Sequence, residues 1–223
     1  MKAAIFSYVA GVLSVLTLVS GAPAAPTPDP LFATGLDWKP GPICTYDIVH
    51  NGKKARWTFA VSEASGDKIV GAWTRDVSGS VVSVPVVKTE KGLKFTEDMS
   101  MIHGTPMTAE PGYQWLAFPL EPGKSWEGRS VVSGTDAAGK PWKVDVTFNS
   151  KVSDWEKVKT GAGEAAAMRI VTDEKIVGLS ANFSGTGRGT VWIGAGACSL
   201  KKLEYKNSFK ETASLLLVSE SSH

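Results

Sequence analysis

The chain of 223 residues holds three histidines and two cysteines, and both shortages exclude chemistry. No His-x-His or His-x-x-x-His spacing exists to hold a metal: His50 lies at a turn edge, His103 in a Gly/Pro-rich loop and His223 at the terminus. Serine is plentiful, yet none stands in Gly-x-Ser-x-Gly, so the elbow that presents a hydrolase nucleophile is missing. A triad would have to be assembled from His50 or His103 and residues distant in sequence. Glu110, Glu121, Glu127, Asp136 and Asp145 supply carboxylates, but no pair is marked out by its surroundings. Nor is there a concentrated basic face. The formal charge is +2 with acids and bases mixed along the length, which argues against nucleic acid or an anionic membrane surface as partner. Gly185-Thr186-Gly187-Arg188-Gly189 lacks the Gly-Lys-Ser/Thr ending of a phosphate loop and reads as a hairpin turn. The residues therefore point to no catalytic group, cofactor or metal.

One long apolar run is present. Lys2 leads into Ala3–Val19, followed by the small residues Ser20-Gly21-Ala22-Pro23-Ala24. Ser7, Gly11, Ser14 and Thr17 interrupt the run, no basic stop-transfer cluster follows, and Ala22-x-Ala24 suits signal peptidase. Residues 1–24 are expected to be a cleaved signal peptide, leaving no integral membrane segment. No cysteine follows closely enough for a lipid anchor. The mature protein is expected in the periplasm or secreted, with a Pro-rich extended leader over 25–42 and a single β domain over 43–219. In such a compartment Cys44, in the first predicted strand, and Cys198, in one of the last, are free to form a disulfide that ties the ends of the fold. Two buried thiols that never meet are the alternative.

After the leader, apolar and polar residues alternate with the period of a strand. Trp57, Phe59 and Val61 alternate with Arg56, Thr58 and Ala60; Trp142, Val144, Val146 and Phe148 alternate with Lys143, Asp145, Thr147 and Asn149. Turn signals at Asn51-Gly52, Ser65-Gly66-Asp67, Lys91-Gly92 and Ala138-Gly139 separate short candidate strands. No later segment keeps a convincing 3.6-residue apolar stripe. The expected fold is all-β: a curved antiparallel sheet, an incomplete barrel or a sandwich. Cys198 and Leu200 fall on even positions but Leu203 and Tyr205 on odd ones, so a β-bulge is expected near Lys201 or Lys202.

Eight tryptophans are generous for this length. Trp57 and Trp142 fit the buried face. Trp38, Trp115, Trp126 and Trp192 lie near proline, glycine or strand ends, where aromatics can line a cavity mouth or stack on sugars; Trp115, Trp126 and Trp192 are the ligand-binding candidates.

Three segments carry a resemblance. They are Leu116-Ala117-Phe118-Pro119-Leu120-Glu121-Pro122-Gly123-Lys124-Ser125-Trp126, Trp155-Glu156-Lys157-Val158 with Ala162-Gly163-Glu164 and Ala167-Met168-Arg169-Ile170, and Thr190-Val191-Trp192-Ile193 with Gly196, Leu200-Lys201-Lys202 and Glu204-Tyr205. In this order they resemble a domain-of-unknown-function group of exported bacterial β proteins, some called lipoproteins or TapB-like. The likeness spans roughly 43–219, with Ile193-Gly194-Ala195 where the group has tyrosine-proline after its tryptophan. It implies a curved antiparallel sheet or incomplete barrel outside the cytoplasm and supplies no catalytic residues. The expected function is a non-enzymatic envelope protein that binds a small apolar or glycan ligand or assists envelope assembly. A secreted hydrolase and a purely structural or interaction domain are the rivals.

Overall fold

The computed structural model describes residues 36, 38–76, 79, 81–97, 107–136 and 138–221. The expected signal peptide, His103 and His223 lie outside them. Twelve strands follow one another in a meander: β1 (Ile43–His50), β2 (Lys53–Ser65), β3 (Lys68–Arg75), β4 (Val81–Thr89), β5 (Gly92–Glu97), β6 (Met107–Ala117), β7 (Ser125–Thr135), β8 (Pro141–Thr160), β9 (Gly163–Gly178), β10 (Ser184–Gly194), β11 (Leu200–Asn207) and β12 (Thr212–Ser221). Every neighbouring pair is antiparallel, and β12 pairs with β1 from Ile43↔Ser221 to His50↔Ala213. The sheet thus closes into a barrel rather than ending as an open curved sheet or sandwich. Bulges drive the curvature that closure needs: register shifts occur between Thr45 and Tyr46, Val61 and Glu63, Leu93 and Lys94, and Val152 and Trp155. The anticipated bulge near Lys201 is present, for Trp192 pairs with Lys202 and Ile193 with Leu200, leaving Lys201 as the extra residue.

Period 2 puts Phe59, Val61, Trp73, Val84, Val86, Val146, Phe148, Met168, Ile170 and Val191 inside the barrel. Four aromatic rings need room that only a glycine beneath them provides. Phe59 lies over Gly71 and Phe148 over Gly128, while Phe209 lies over Gly185 and Tyr205 over Gly187. The Gly185–Gly189 segment, expected as a turn, is therefore part of β10. Gly185 and Gly187 occupy inward positions that Glu174, Tyr205 and Phe209 crowd.

The turns at 66–67, 90–91, 118–124, 161–162 and 195–199 gather at the end of the barrel where β1 begins, and those at 51–52, 136–140, 179–183 and 208–211 at the other. Cys44 and Cys198 form a disulfide at the first end, with Cα atoms 5.5 Å apart. Cys198 stands in the turn before β11 rather than in a strand. Trp38, from the leader, also reaches into this end. Its Nε1 donates to Ser199 Oγ at 2.9 Å, and its ring centroid lies 5.5 Å from Phe59 and 5.8 Å from Trp115.

Two features interrupt the simple wall. The ladder between β6 and β7 runs only from Met107↔Gly134 to Glu110↔Val131. Beyond it side chains span the gap: Ser130 Oγ donates to the Gly112 carbonyl at 2.8 Å, Trp126 Nε1 to the Gln114 carbonyl at 3.2 Å and Lys124 Nζ to the Phe118 carbonyl at 2.6 Å. The hairpin of β8 and β9 outruns the barrel and folds back over its outside, where the Gly161 amide donates to the Leu217 carbonyl at 2.9 Å. There Val158 and Ala167 pack with Trp192 in a small cluster of their own.

Candidate ligand cavity

A cavity of about 430 Å³ occupies the barrel interior. Trp38 and Trp115 line it toward the first end; Phe183 and Phe209, both exposed and 5.5 Å apart edge to face, line it at the other, where it meets solvent. Most of the lining is apolar, with Val84, Val86, Val132 and Val146 in the wall. Gly189 lines it too, and a Cβ there would meet nothing nearer than Tyr205 at 3.8 Å. At this one inward position of β10 the bare backbone leaves space that a side chain would fill.

One polar group stands in this apolar lining with partners arranged around it. Glu174 continues the inward row Met168, Ile170, Thr172 of β9 and takes hydrogen bonds from two phenols, Tyr113 to Oε1 at 2.7 Å and Tyr205 to Oε2 at 3.2 Å. Tyr113 reaches from β6, its ring tilted against that of Phe148 with centroids 4.4 Å apart. Tyr205 approaches from β11 across Gly187, where a Cβ would fall 2.7 Å from both the Tyr205 hydroxyl and Glu174 Oε2. Gly187 on β10 therefore lets side chains from β9 and β11 meet, and Tyr113 joins them from β6. The barrel wall shields Glu174 from bulk water even though it fronts the cavity, and this desolvation raises its pKa, with the two phenol hydrogen bonds pulling the other way. Burial, followed by the charge of Glu174, raises the pKa of both tyrosines, so both remain protonated donors.

A testable pH effect follows from Glu174. The folded protein holds the Glu174 proton more tightly than the unfolded chain does, so this group adds stability as pH falls from the raised folded value toward the ordinary glutamate range. Glu174→Gln should remove that gain. Melting temperatures of the two proteins near pH 7 and about pH 5 check it: the wild type should rise relative to the variant on acidification.

The three candidate tryptophans part company. Trp115 lines the cavity, its ring 5.3 Å from Phe95. Trp126 packs against the core and donates across the β6–β7 gap. Trp192 is 7 % exposed on the outer face, where Nε1 donates to Glu156 Oε2 at 2.9 Å and Lys202 Nζ lies 4.5 Å from its ring centre. The carboxylates noted in the sequence stay apart from the cavity: Asp145 pairs with Arg129 outside the barrel, and Glu121 and Glu127 are exposed. His50 lies at the mouth, 3.2 Å from Glu211. Glu174, Tyr113 and Tyr205 were not singled out in the sequence. The available signal was a charged residue in phase with an apolar strand face.

No family model and no curated protein matches the chain. The fold has solved counterparts. A protein named as a lipoprotein from Parabacteroides distasonis is similar over 85% of this chain and 98% of its own, with TM-score 0.59 and 12% identity. A protein from Bacteroides fragilis, named as exported and as having a YmcC-like fold, is similar over 85% of this chain and 100% of its own, with TM-score 0.61 and 16% identity. At these identities the likeness is one of fold. The TapB-like resemblance rests on the three sequence segments alone.

Proposed function

We propose that this is a non-enzymatic protein of the periplasm or exterior that encloses a small apolar ligand in its barrel. The observation that carries the reading is the apolar cavity of about 430 Å³, within the size of ordinary small-molecule sites and left unfilled by a side chain at Gly189 of β10. An apolar body fits it better than a glycan, since each buried sugar hydroxyl without a partner costs about 1–3 kcal/mol and the walls are mainly hydrocarbon. The sequence of residues 1–24 and the Cys44–Cys198 bridge support a location outside the cytoplasm, where disulfides persist. The fold shared with proteins named as exported is in keeping with it.

The neutral probe N-phenyl-1-naphthylamine, which fluoresces in apolar surroundings, tests the reading. It should bind with saturation at one site. Gly189→Leu should abolish that binding without loss of stability, because its Cβ meets Tyr205 at no less than 3.8 Å, the rest of the side chain extends into the cavity, and it replaces a glycine that weakens a strand. Unchanged probe binding in a folded Gly189→Leu protein would place the probe elsewhere and defeat the proposal.

A further inference from the structure

We propose that Glu174, with Tyr113 and Tyr205, recognises the head group of the occupant, and that this head is a primary ammonium carried on a hydrocarbon chain. The inference rests on the cavity being a ligand site.

Hydrogen-bond bookkeeping sets the chemistry. Each phenol spends its only proton on Glu174, one on each carboxylate oxygen. What remains at this point is a set of lone pairs on the carboxylate and on two phenol oxygens. Around Glu174 the groups left over are mainly acceptors; the nearby amide of Asn207 is already engaged with the Tyr205 hydroxyl and with Glu211 Oε2 at 2.9 Å. A carboxylate or phosphate head brings no proton and repels Glu174, and an alcohol brings one donor. A primary ammonium brings three donors and a positive charge.

Among the described residues no cation is paired with this charge: both partners of Glu174 are neutral, and no lysine, arginine or histidine forms an ion pair with it. Its chain neighbours Asp173 and Lys175 point outward, and Arg188 pairs with Asp173 on the outside. The other carboxylates along the cavity are already engaged: Glu204 with Lys202, and Glu211 with His50 and Asn207. Burial disfavours the charged form of Glu174, and an arriving cation would offset that penalty. The apolar remainder of the lining takes the chain.

Displacement of N-phenyl-1-naphthylamine by decylamine, decanol and decanoate, which share a chain and differ in head, tests the assignment. Decylamine should displace the probe at about one-tenth of the concentration decanol needs, as expected for exchanging a neutral for a charge-assisted hydrogen bond, and decanoate should be weakest. Glu174→Gln should bring decylamine to the level of decanol, each displacement being referred to the probe's own Kd in that variant. Tyr205→Phe, which keeps the charge, should lose part of the preference; it also covers the case in which Glu174→Gln does not fold. Equal displacement by amine and alcohol in the wild type would overturn the head-group assignment and leave the cavity reading standing. Failure of the probe to bind at all would overturn both.

Discussion

Breaking the Cys44–Cys198 bridge should lower the unfolding free energy by about 3–5 kcal/mol. The two residues are 154 positions apart, so the bond closes most of the barrel sequence into one loop, and the unfolded chain loses a correspondingly large number of conformations. Both residues are nearly inaccessible, Cys44 at 2% and Cys198 at 0%, so reduction in the native state should be slow. The measurement is a urea melt of the oxidised protein beside Cys44→Ala/Cys198→Ala. An unshifted midpoint would mean that the bridge does not constrain the unfolded chain. Thiol titration of the unfolded, unreduced protein should find no free thiol among these two.

Trp73→Ala should bring a loss of similar size, about 3–5 kcal/mol, as truncating a buried large aromatic does. Trp73 is 3% exposed, on the inward face of β3, with its ring 5.2 Å from Tyr46 and 4.9 Å from Phe59. Phe59 is itself held over Gly71, so removal of Trp73 leaves a void that neither neighbour can close without swinging off the glycine. Trp142 is a useful comparison: it is only half-buried and packs against the smaller cluster of Met107, Ala109, Val132 and Val146. Urea midpoints should put Trp142→Ala nearer the wild type than Trp73→Ala. Equal losses would contradict the placement of Trp73 in the main core.

The strands were legible wherever alternation was uninterrupted, as in Trp57–Val61 and Trp142–Phe148, and the phase break at Lys201 located a bulge. Strand lengths were less legible. β8 continues past Val152 because a register shift carries the ladder through Ser153 and Asp154, beyond the Trp142–Phe148 alternation that marked the strand. The glycines of β10 read as a turn because backbone freedom is the usual reason for glycine. Here the reason is the volume of rings on neighbouring strands, a property of tertiary placement. The same holds for Glu174: its phase was visible, but Tyr113 and Tyr205 lie 61 and 31 residues away. Trp192 is buried from outside by a hairpin that folds back, an event no local pattern records.

The pairing of β12 with β1 makes the strand order a ring in which every neighbour but one is a sequence neighbour. The exception, Ile43↔Ser221, asks the chain to bring together its most distant strands, and such non-local pairing slows folding. A circularly permuted chain, opened at the exposed Asn51–Gly52 turn and joined by a short linker between β12 and β1, turns that pairing into a local hairpin. The permutation transfers the long-range closure to β1 and β2 without changing a single inward-facing residue.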